Sequence, residues 1–181
     1  MRIHDDIQLD YCDVLLRPKR SALASRSAVD VLREYTFKWC NRSLHATGIV
    51  AANMYTTGTF AIAREMQKQN LFCALHKHYG AQEIIDFLTA NKKDFGNNDL
   101  IFVSSGVSES DFEKLSQIVK TKLVQNICID VANGYSPYLM DFVRKVRQNW
   151  PDALIMAGNV VTGDMCEDLI LNGAEDRKSV V

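Results

Sequence analysis

The sequence lacks an excess of charge of either sign. Its 181 residues include 21 lysines and arginines against 22 aspartates and glutamates, a formal net charge of −1. A protein that binds nucleic acid through its phosphate backbone needs a basic excess to displace counterions. We therefore expect no nucleic-acid partner.

Long apolar runs are also missing. No stretch approaches the ~18 apolar residues of a membrane-spanning helix, and residues 1–7, MRIHDDI, are too polar and acidic for a signal peptide. Five cysteines, at 12, 40, 73, 128 and 166, contain no C-x-x-C pair. An odd, widely spaced set indicates reduced thiols that pack as small apolar side chains. We expect no membrane partner and a cytoplasmic location.

Five short apolar runs recur along the chain with amphipathic stretches between them. The runs are 48–52, 71–75, 100–103, 127–131 and 154–157. They are continuously apolar, which is typical of parallel strands buried on both faces. Helix signals separate them: Ser110 with Glu113 as a capping box, Ser136-Pro137 and Thr162 as helix starts, and Asn172-Gly173 as a helix end.

Two architectures contain such strand and helix repeats. A doubly wound sheet carries a glycine-rich turn after its first strand, but residues 53–58 contain no G-x-G-x-x-G. The pattern thus favours an α/β fold of the (β/α)8 TIM-barrel type, truncated to about its first five units. We divide the chain into an N-terminal segment, 1–45, and a partial barrel, 46–174. Within the segment, 14–16 predicts a short strand, and the basic residues 17–20 indicate either a surface turn or a phosphate contact.

Polar side chains follow every predicted strand. They are Asn53, the segment 76–79 (HKHY), Ser104 to Gly106, Asp130 with 133–135 (NGY), and Gly158-Asn159. In a barrel these positions meet at the rim that carries the active site. Lys77 suits a phosphate, carboxamide or carboxylate, and Asp130 is a candidate partner across the rim. His76 and His78 lack a third ligand at suitable spacing, so we predict no metal site.

Six segments of the chain form one further pattern: DVLLRPKRS at 13–21, AANM at 51–54, GTF at 58–60, HKHY at 76–79, DVANGYS at 130–136 and AGNVVTG at 157–163. Together they resemble the GMP reductases, within the IMP dehydrogenase/GMP reductase family of barrels. The resemblance extends collinearly to Ala174. IMP dehydrogenases usually carry a domain inserted after the second helix, for which the connection at 91–99 has no room.

The resemblance implies an enzyme that reduces GMP to IMP and ammonia with NADPH, usually as a homotetramer. It assigns catalytic roles to Lys77 and Asp130. It assigns cofactor contacts to Ser25, Arg26, Lys77, Asp130, Val131 and Ala132, those of Ser25 and Arg26 often reaching a neighbouring subunit. An arginine suits a cofactor phosphate. The family's potassium-binding loop, its substrate phosphate site and its catalytic-cysteine loop would follow Ala174.

The chain departs from the family at three places, of which the first is residues 46–48, ATG, in place of a Gly-x-Pro. Tyr55 stands where the family usually has an aspartate. Residues 175–181, EDRKSVV, replace the family's sixth strand, and none of the five cysteines matches the nucleophile. We interpret 175–181 as a non-native tail, since one frame of a common sequencing adapter encodes DRKSVV followed by a stop. We expect this chain alone to be inactive and poorly soluble, because its edges and apolar faces lack neighbours.

Two other interpretations remain open. One is a fragment of an IMP dehydrogenase-like enzyme. The other is a non-catalytic, nucleotide-binding half-barrel.

Overall fold

The computed structural model describes residue 7 and residues 9–179, without the side chain of Tyr11. Residues 1–6, on which most of the argument against a signal peptide rests, lie outside the described residues. The chain forms two compact units that divide between Val31 and Leu32, whereas the sequence-based boundary lies at 45/46. No helix in the described part is long and apolar enough to cross a bilayer.

The first unit has little regular structure. Its described elements are two 3-10 helices, Tyr11–Asp13 and Arg26–Ala28. The strand predicted at 14–16 is wrong: these residues are irregular, and Leu15 and Leu16 are 97% and 100% exposed. A strand of a sheet would bury one face, and nothing in the described part of this unit covers these leucines.

In the described residues of the second unit, 32–179, the chain forms one sheet and five helices. Its strands are β1 (Arg33–Phe37), β2 (Arg42–Ala51), β3 (Leu71–Leu75), β4 (Ile101–Ser105), β5 (Asn126–Asp130), β6 (Leu154–Gly158) and β7 (Asp176–Lys178). Its helices are α1 (Phe60–Lys68), α2 (Ala81–Phe95), α3 (Glu109–Val119), α4 (Pro137–Asn149) and α5 (Gly163–Leu171). The strands lie side by side in chain order; β1 and β2 are antiparallel, and all later pairs are parallel.

The central strands are buried on both faces, as their continuous apolar runs predicted. On β4, Ile101 and Val103 join the large apolar cluster beneath the helices. Phe102, between them, joins a second cluster on the opposite face, together with Phe72 and Met156. Successive side chains of a strand point to opposite faces, so a strand between two apolar layers has no polar side.

Helix starts follow the predicted cap chemistry with one correction. Ser136 caps α4 and Pro137 is its first residue, and α5 begins after Thr162. The capping box of α3, however, is Ser108 with Asp111, two residues before the predicted pair. The Ser108 hydroxyl accepts the N–H of Asp111 at 3.1 Å, and the Asp111 carboxylate accepts the N–H of Ser108 at 3.1 Å. Both atoms thus satisfy helix-terminal groups that would otherwise lack partners.

The turn between β1 and β2 contacts the end of α5 and the residue just before β7. The indole N–H of Trp39 donates to the carbonyl of Ile170 at 2.9 Å. The N–H of Cys40 donates to the Glu175 carboxylate at 2.6 Å. Arg147 donates to the carbonyls of Gly173, Pro151 and Ala153 and lies 3.7 Å from Glu175. This cluster ties together segments that lie more than a hundred residues apart.

Strand β7 lies inside the segment that the sequence analysis interprets as a non-native tail. It pairs with β6 from Met156 to Gly158, and the carbonyl of Lys178 accepts the N–H of Val160 at 2.9 Å. These are backbone contacts, which many sequences can make. The interpretation of 175–181 therefore stays a prediction.

Candidate active site at the strand ends

The carboxyl ends of β3, β4, β5 and β6 lie at one edge of the parallel sheet and carry the polar groups that the sequence singled out. Asn53, His76, Ser104 and Ser105 are buried at this edge. Asp130 is the last residue of β5 and is half-buried. In parallel α/β sheets, ligands bind at this edge.

Gly58 holds the loop after β2 against the end of β3. Its carbonyl accepts the N–H of His76 at 2.9 Å. A Cβ at position 58 would collide with the carbonyl of Ala74 and with the backbone nitrogen of His76. Only glycine permits this close approach, which brings Tyr55 over His76.

His76 is the most enclosed ionisable group of the edge. Its Nδ1 accepts the N–H of His78 at 3.3 Å. Burial lowers the pKa of His76, with smaller contributions in the same direction from His78 and Lys114. A neutral imidazole therefore lies between the rings of Tyr55 and Tyr79. Within the described residues, no group of three histidine, cysteine or acidic side chains is arranged to hold a metal ion.

Lys77 is exposed beside His76, and its ammonium does not pair with Asp130, the partner that the sequence suggested. The backbone carbonyl of Lys77 accepts a hydrogen bond from the ammonium of Lys114 at 2.7 Å. The positive charge of Lys77 contributes to lowering the pKa of Asp111, which burial opposes and hydrogen bonds from Ser108 favour. No carboxylate in the described part of the chain lies within 4.0 Å of the Lys77 ammonium. The cation is thus free to meet an anionic ligand.

Asp130 pairs instead with Lys178 of β7. The Lys178 Nζ lies 2.5 Å from Asp130 Oδ1, and both side chains are about three-quarters buried or more. The sequence-based suggestion that Asp130 meets Lys77 is therefore wrong in this structure. Asp130 is paired with Gly158 on β6, and Gly158 is paired with Lys178 on β7, so the three residues lie in one row across the sheet. The cation closest to Asp130 therefore comes from β7 rather than from the loop after β3.

Cys128, two residues before Asp130, is not a candidate nucleophile. Its thiol is fully buried beside the Ser104 hydroxyl, and burial raises the pKa of Cys128 to about 12. A thiol in this state carries almost no thiolate near neutral pH. All five cysteines are free thiols; Cys73 and Cys40 are also buried, Cys166 is half-buried, and Cys12 is exposed, contrary to expectation.

Val131 and Ala132 form the start of the loop after β5. Val131 exchanges backbone hydrogen bonds of 2.9 Å with Gly158 and Asn159 of the next strand end. Ala132 is exposed. Val131 also lines an apolar groove of about 350 Å³, together with Ser108, Tyr138 and Leu139. The predicted cofactor segment thus borders an open groove at the strand ends.

Tyr135 bonds the start of α5, a contact that its position in the sequence did not predict. Its phenol oxygen accepts the N–H groups of Val161 and Thr162 at 3.2 and 3.1 Å and bonds the Thr162 hydroxyl at 3.0 Å. These bonds lower the pKa of Tyr135. The Thr162 side chain makes no capping bond of its own, so a tyrosine from the preceding loop caps α5. The spacing of Tyr135 and Thr162 gives no local signal for this contact.

Ser25 and Arg26 belong to the first unit. Ser25 precedes the 3-10 helix at Arg26–Ala28, and its hydroxyl accepts the N–H of Ser27 at 3.2 Å. Both residues are exposed. Their predicted contact with a cofactor stays a prediction.

The fold and its polar edge define a protein of the (β/α)-barrel class. The family's sequence model, described as "IMP dehydrogenase / GMP reductase domain", matches residues 8–179. The chain belongs to the IMP dehydrogenase/GMP reductase family.

Individual relatives agree with this assignment. The GMP reductases of Klebsiella pneumoniae and Escherichia coli O81 are 48% and 47% identical to this chain over 176 residues, 97% of its length. The crystal structure of inosine 5′-monophosphate dehydrogenase from Legionella pneumophila superposes with a TM-score of 0.77 at 27% identity, over 93% of this chain and 49% of that one. The chain spans about half the length of the curated relatives that it matches. Its sheet is a curled half-barrel, consistent with the truncated barrel that the sequence predicted.

Proposed function

We propose that this chain supplies the first half of the catalytic barrel of a GMP reductase, which reduces GMP to IMP and ammonia with NADPH. The observation that carries the proposal is the exposed Lys77 beside buried polar groups at the strand ends. It occurs in a chain that is nearly half identical to GMP reductases along almost its whole length.

Lys77 is the anchor for negative charge in this proposal. Its ammonium has no carboxylate within 4.0 Å in the described residues. A free ammonium at the edge of a sheet attracts phosphate or polarised carboxamide oxygens. Asp130 is already paired with Lys178, so that contact holds its carboxylate in a fixed position at the end of β5.

The residues of the loop after β5 suit a dinucleotide. The groove beside Val131 is mainly apolar and open to solvent, as a nicotinamide or adenine ring requires. NADPH supplies the hydride when bound. Val131 and Ala132 would border the bound cofactor, Lys77 would supply a positive charge, and Asp130 would accept hydrogen bonds from it. Ser25 and Arg26 are proposed to reach the cofactor of a neighbouring subunit in a homotetramer.

Three further expectations belong to the whole enzyme: a cytoplasmic location, GMP and IMP as ligands, and a potassium ion.

An IMP dehydrogenase-like activity is the second candidate, supported by the structural similarity to the Legionella pneumophila enzyme. Two observations favour the reductase. Identity to GMP reductases is higher, at 48% against 27%. The connection from α2 to β4 covers only residues 96–100, which leaves no room for an inserted domain.

A chimera tests the proposed function. Residues 1–174 of this chain are joined to the C-terminal half of the Klebsiella pneumoniae relative, and NADPH oxidation with GMP is followed together with ammonia release. We expect turnover that falls by about 100-fold or more in Lys77→Gln, since charge stabilisation at a reacting centre is worth several kcal/mol. Lys68→Gln, an exposed lysine at the end of α1, is the control and retains activity. A chimera that reduces NAD+ with IMP and leaves NADPH unoxidised with GMP, or a fully active Lys77→Gln, rejects the proposal.

A further inference from the structure

A continuous stack of aromatic rings runs from the edge of the strands into the core. The ring centroids lie 5.2 Å apart for Tyr55 and His76, 3.9 Å for His76 and Tyr79, 3.8 Å for Tyr79 and Phe60, and 4.3 Å for Phe60 and Phe87. The interplanar angles are 29°, 20°, 10° and 13°. Each ring therefore lies within 30° of parallel to the next one in the stack.

The inner end of this stack is fixed. Phe87 is buried in the cluster beneath the helices, and the Arg64 guanidinium lies 5.9 Å from its ring. The phenol oxygen of Tyr79 accepts the N–H of Phe60 at 3.4 Å. The loop that carries Tyr55 is held on β3 through Gly58.

The outer end of the stack is open. Tyr55 is 71% exposed although one face of its ring contacts His76. The edge of the His78 ring lies against it, at 5.9 Å and 67°. The exposed Lys77 comes from the same segment as His76 and His78. A flat, exposed ring on a rigid support, beside a cation, suits a ligand that is planar at one end and anionic at the other.

We propose that Tyr55 is the stacking platform for the planar heterocycle of a bound nucleotide, either the purine of GMP or the nicotinamide of NADPH, while Lys77 receives its negative charge. The proposal rests on the proposed function for the choice of nucleotides. Stacking on a pre-ordered ring avoids the entropy cost of ordering it during binding. Stacking of a base on an aromatic side chain changes affinity by about 5- to 100-fold.

Equilibrium titration of the full 181-residue chain tests the platform. GMP, NADPH and ribose 5-phosphate are titrated into the wild-type chain, Tyr55→Phe and Tyr55→Leu. We expect Tyr55→Phe to bind within about twofold of the wild type, since the ring remains. We expect Tyr55→Leu to bind one of the two nucleotides about 5- to 100-fold more weakly, and that nucleotide is then the one that stacks. Ribose 5-phosphate, which lacks the heterocycle, should bind all three proteins equally. Circular dichroism verifies that the exposed substitution leaves the fold intact.

Two results overturn the platform: Tyr55→Leu binds both nucleotides as the wild type does, or it weakens ribose 5-phosphate to the same degree. If the wild-type chain binds neither nucleotide, the same titration of the chimera, which restores the substrate phosphate site, decides between these results and the expected one. The chimera separates this failure from that of the proposed function. A chimera whose kcat/KM for both GMP and NADPH is unchanged by Tyr55→Leu rejects the platform and keeps the reductase. Ring-dependent binding by the chain with no turnover by the chimera rejects the reductase and keeps the platform.

Discussion

Asp130 and Lys178 join their side chains across Gly158, which occupies the strand between them. The three residues share one register row of β5, β6 and β7. A Cβ at Gly158 would collide with the backbone and side chain of Lys178. The glycine thus leaves the space in which a cation from one strand reaches a carboxylate two strands away.

Replacing Lys178 by methionine should destabilise the second unit. The change leaves the largely buried Asp130 carboxylate without its ammonium partner. We expect the free energy of unfolding to fall by about 1–2 kcal/mol, as for other partly buried charges that lose a hydrogen-bonded partner. Urea denaturation followed by circular dichroism measures this quantity.

Arg177→Met is the matched control for this prediction. Arg177 pairs with Asp176 on the same strand, but both side chains are about half exposed. An exposed pair contributes only about 0–1 kcal/mol, so this variant should stay close to the wild type. Equal losses in the two variants would mean that the Asp130–Lys178 contact is not what stabilises β7.

The repeating part of the fold was predictable because each unit carries its own local signals. Continuous apolar runs marked β3 to β6, and cap residues marked the helices between them. The run at 48–52 marked only the second half of β2, and its burial was wrong, since Ile49 and Val50 are exposed. Strand β1 was missed although Tyr35 and Phe37 alternate with polar residues, the period of a half-buried strand. The turn between β1 and β2 also contains Asn41 at a positive φ of 49°, a conformation that asparagine tolerates.

The candidate site was predictable only as a set of positions. Lys77 and Asp130 could be predicted as site residues because they lie at strand ends, and parallel strands bring their carboxyl ends to one edge. Their partners depend on the register of distant strands and on which loops converge. Lys178 meets Asp130 through two strand pairings, and Tyr135 reaches Thr162 from another loop. Neither contact has a signature in the local sequence.

The start of α3 offers a test between two serines. Ser108→Ala removes the side-chain oxygen that accepts the N–H of Asp111, so we expect a loss of about 1 kcal/mol in the free energy of unfolding. Ser110→Ala is the comparison, because Ser110 bonds only the Ser108 hydroxyl, at 2.9 Å. Its cost should stay below about 0.5 kcal/mol. A larger loss of stability for Ser110→Ala than for Ser108→Ala would indicate that α3 begins at Ser110, as the sequence suggested.

Acidification should weaken the fold through His76. Burial lowers the pKa of His76 in the folded chain below its ordinary value of 6.5, with His78 and Lys114 adding to the effect and Glu83 opposing it. The unfolded chain therefore binds a proton at a higher pH than the folded chain does. The contribution of His76 to stability is complete above about pH 6.5 and is lost as the pH falls toward the folded-state pKa.

His76→Phe keeps a ring between Tyr55 and Tyr79 but cannot be protonated. Between about pH 7.5 and about pH 5.5, the free energy of unfolding should therefore fall more steeply in the wild type than in His76→Phe. Parallel pH profiles for the two proteins would show that the buried imidazole is not the group that responds to acid.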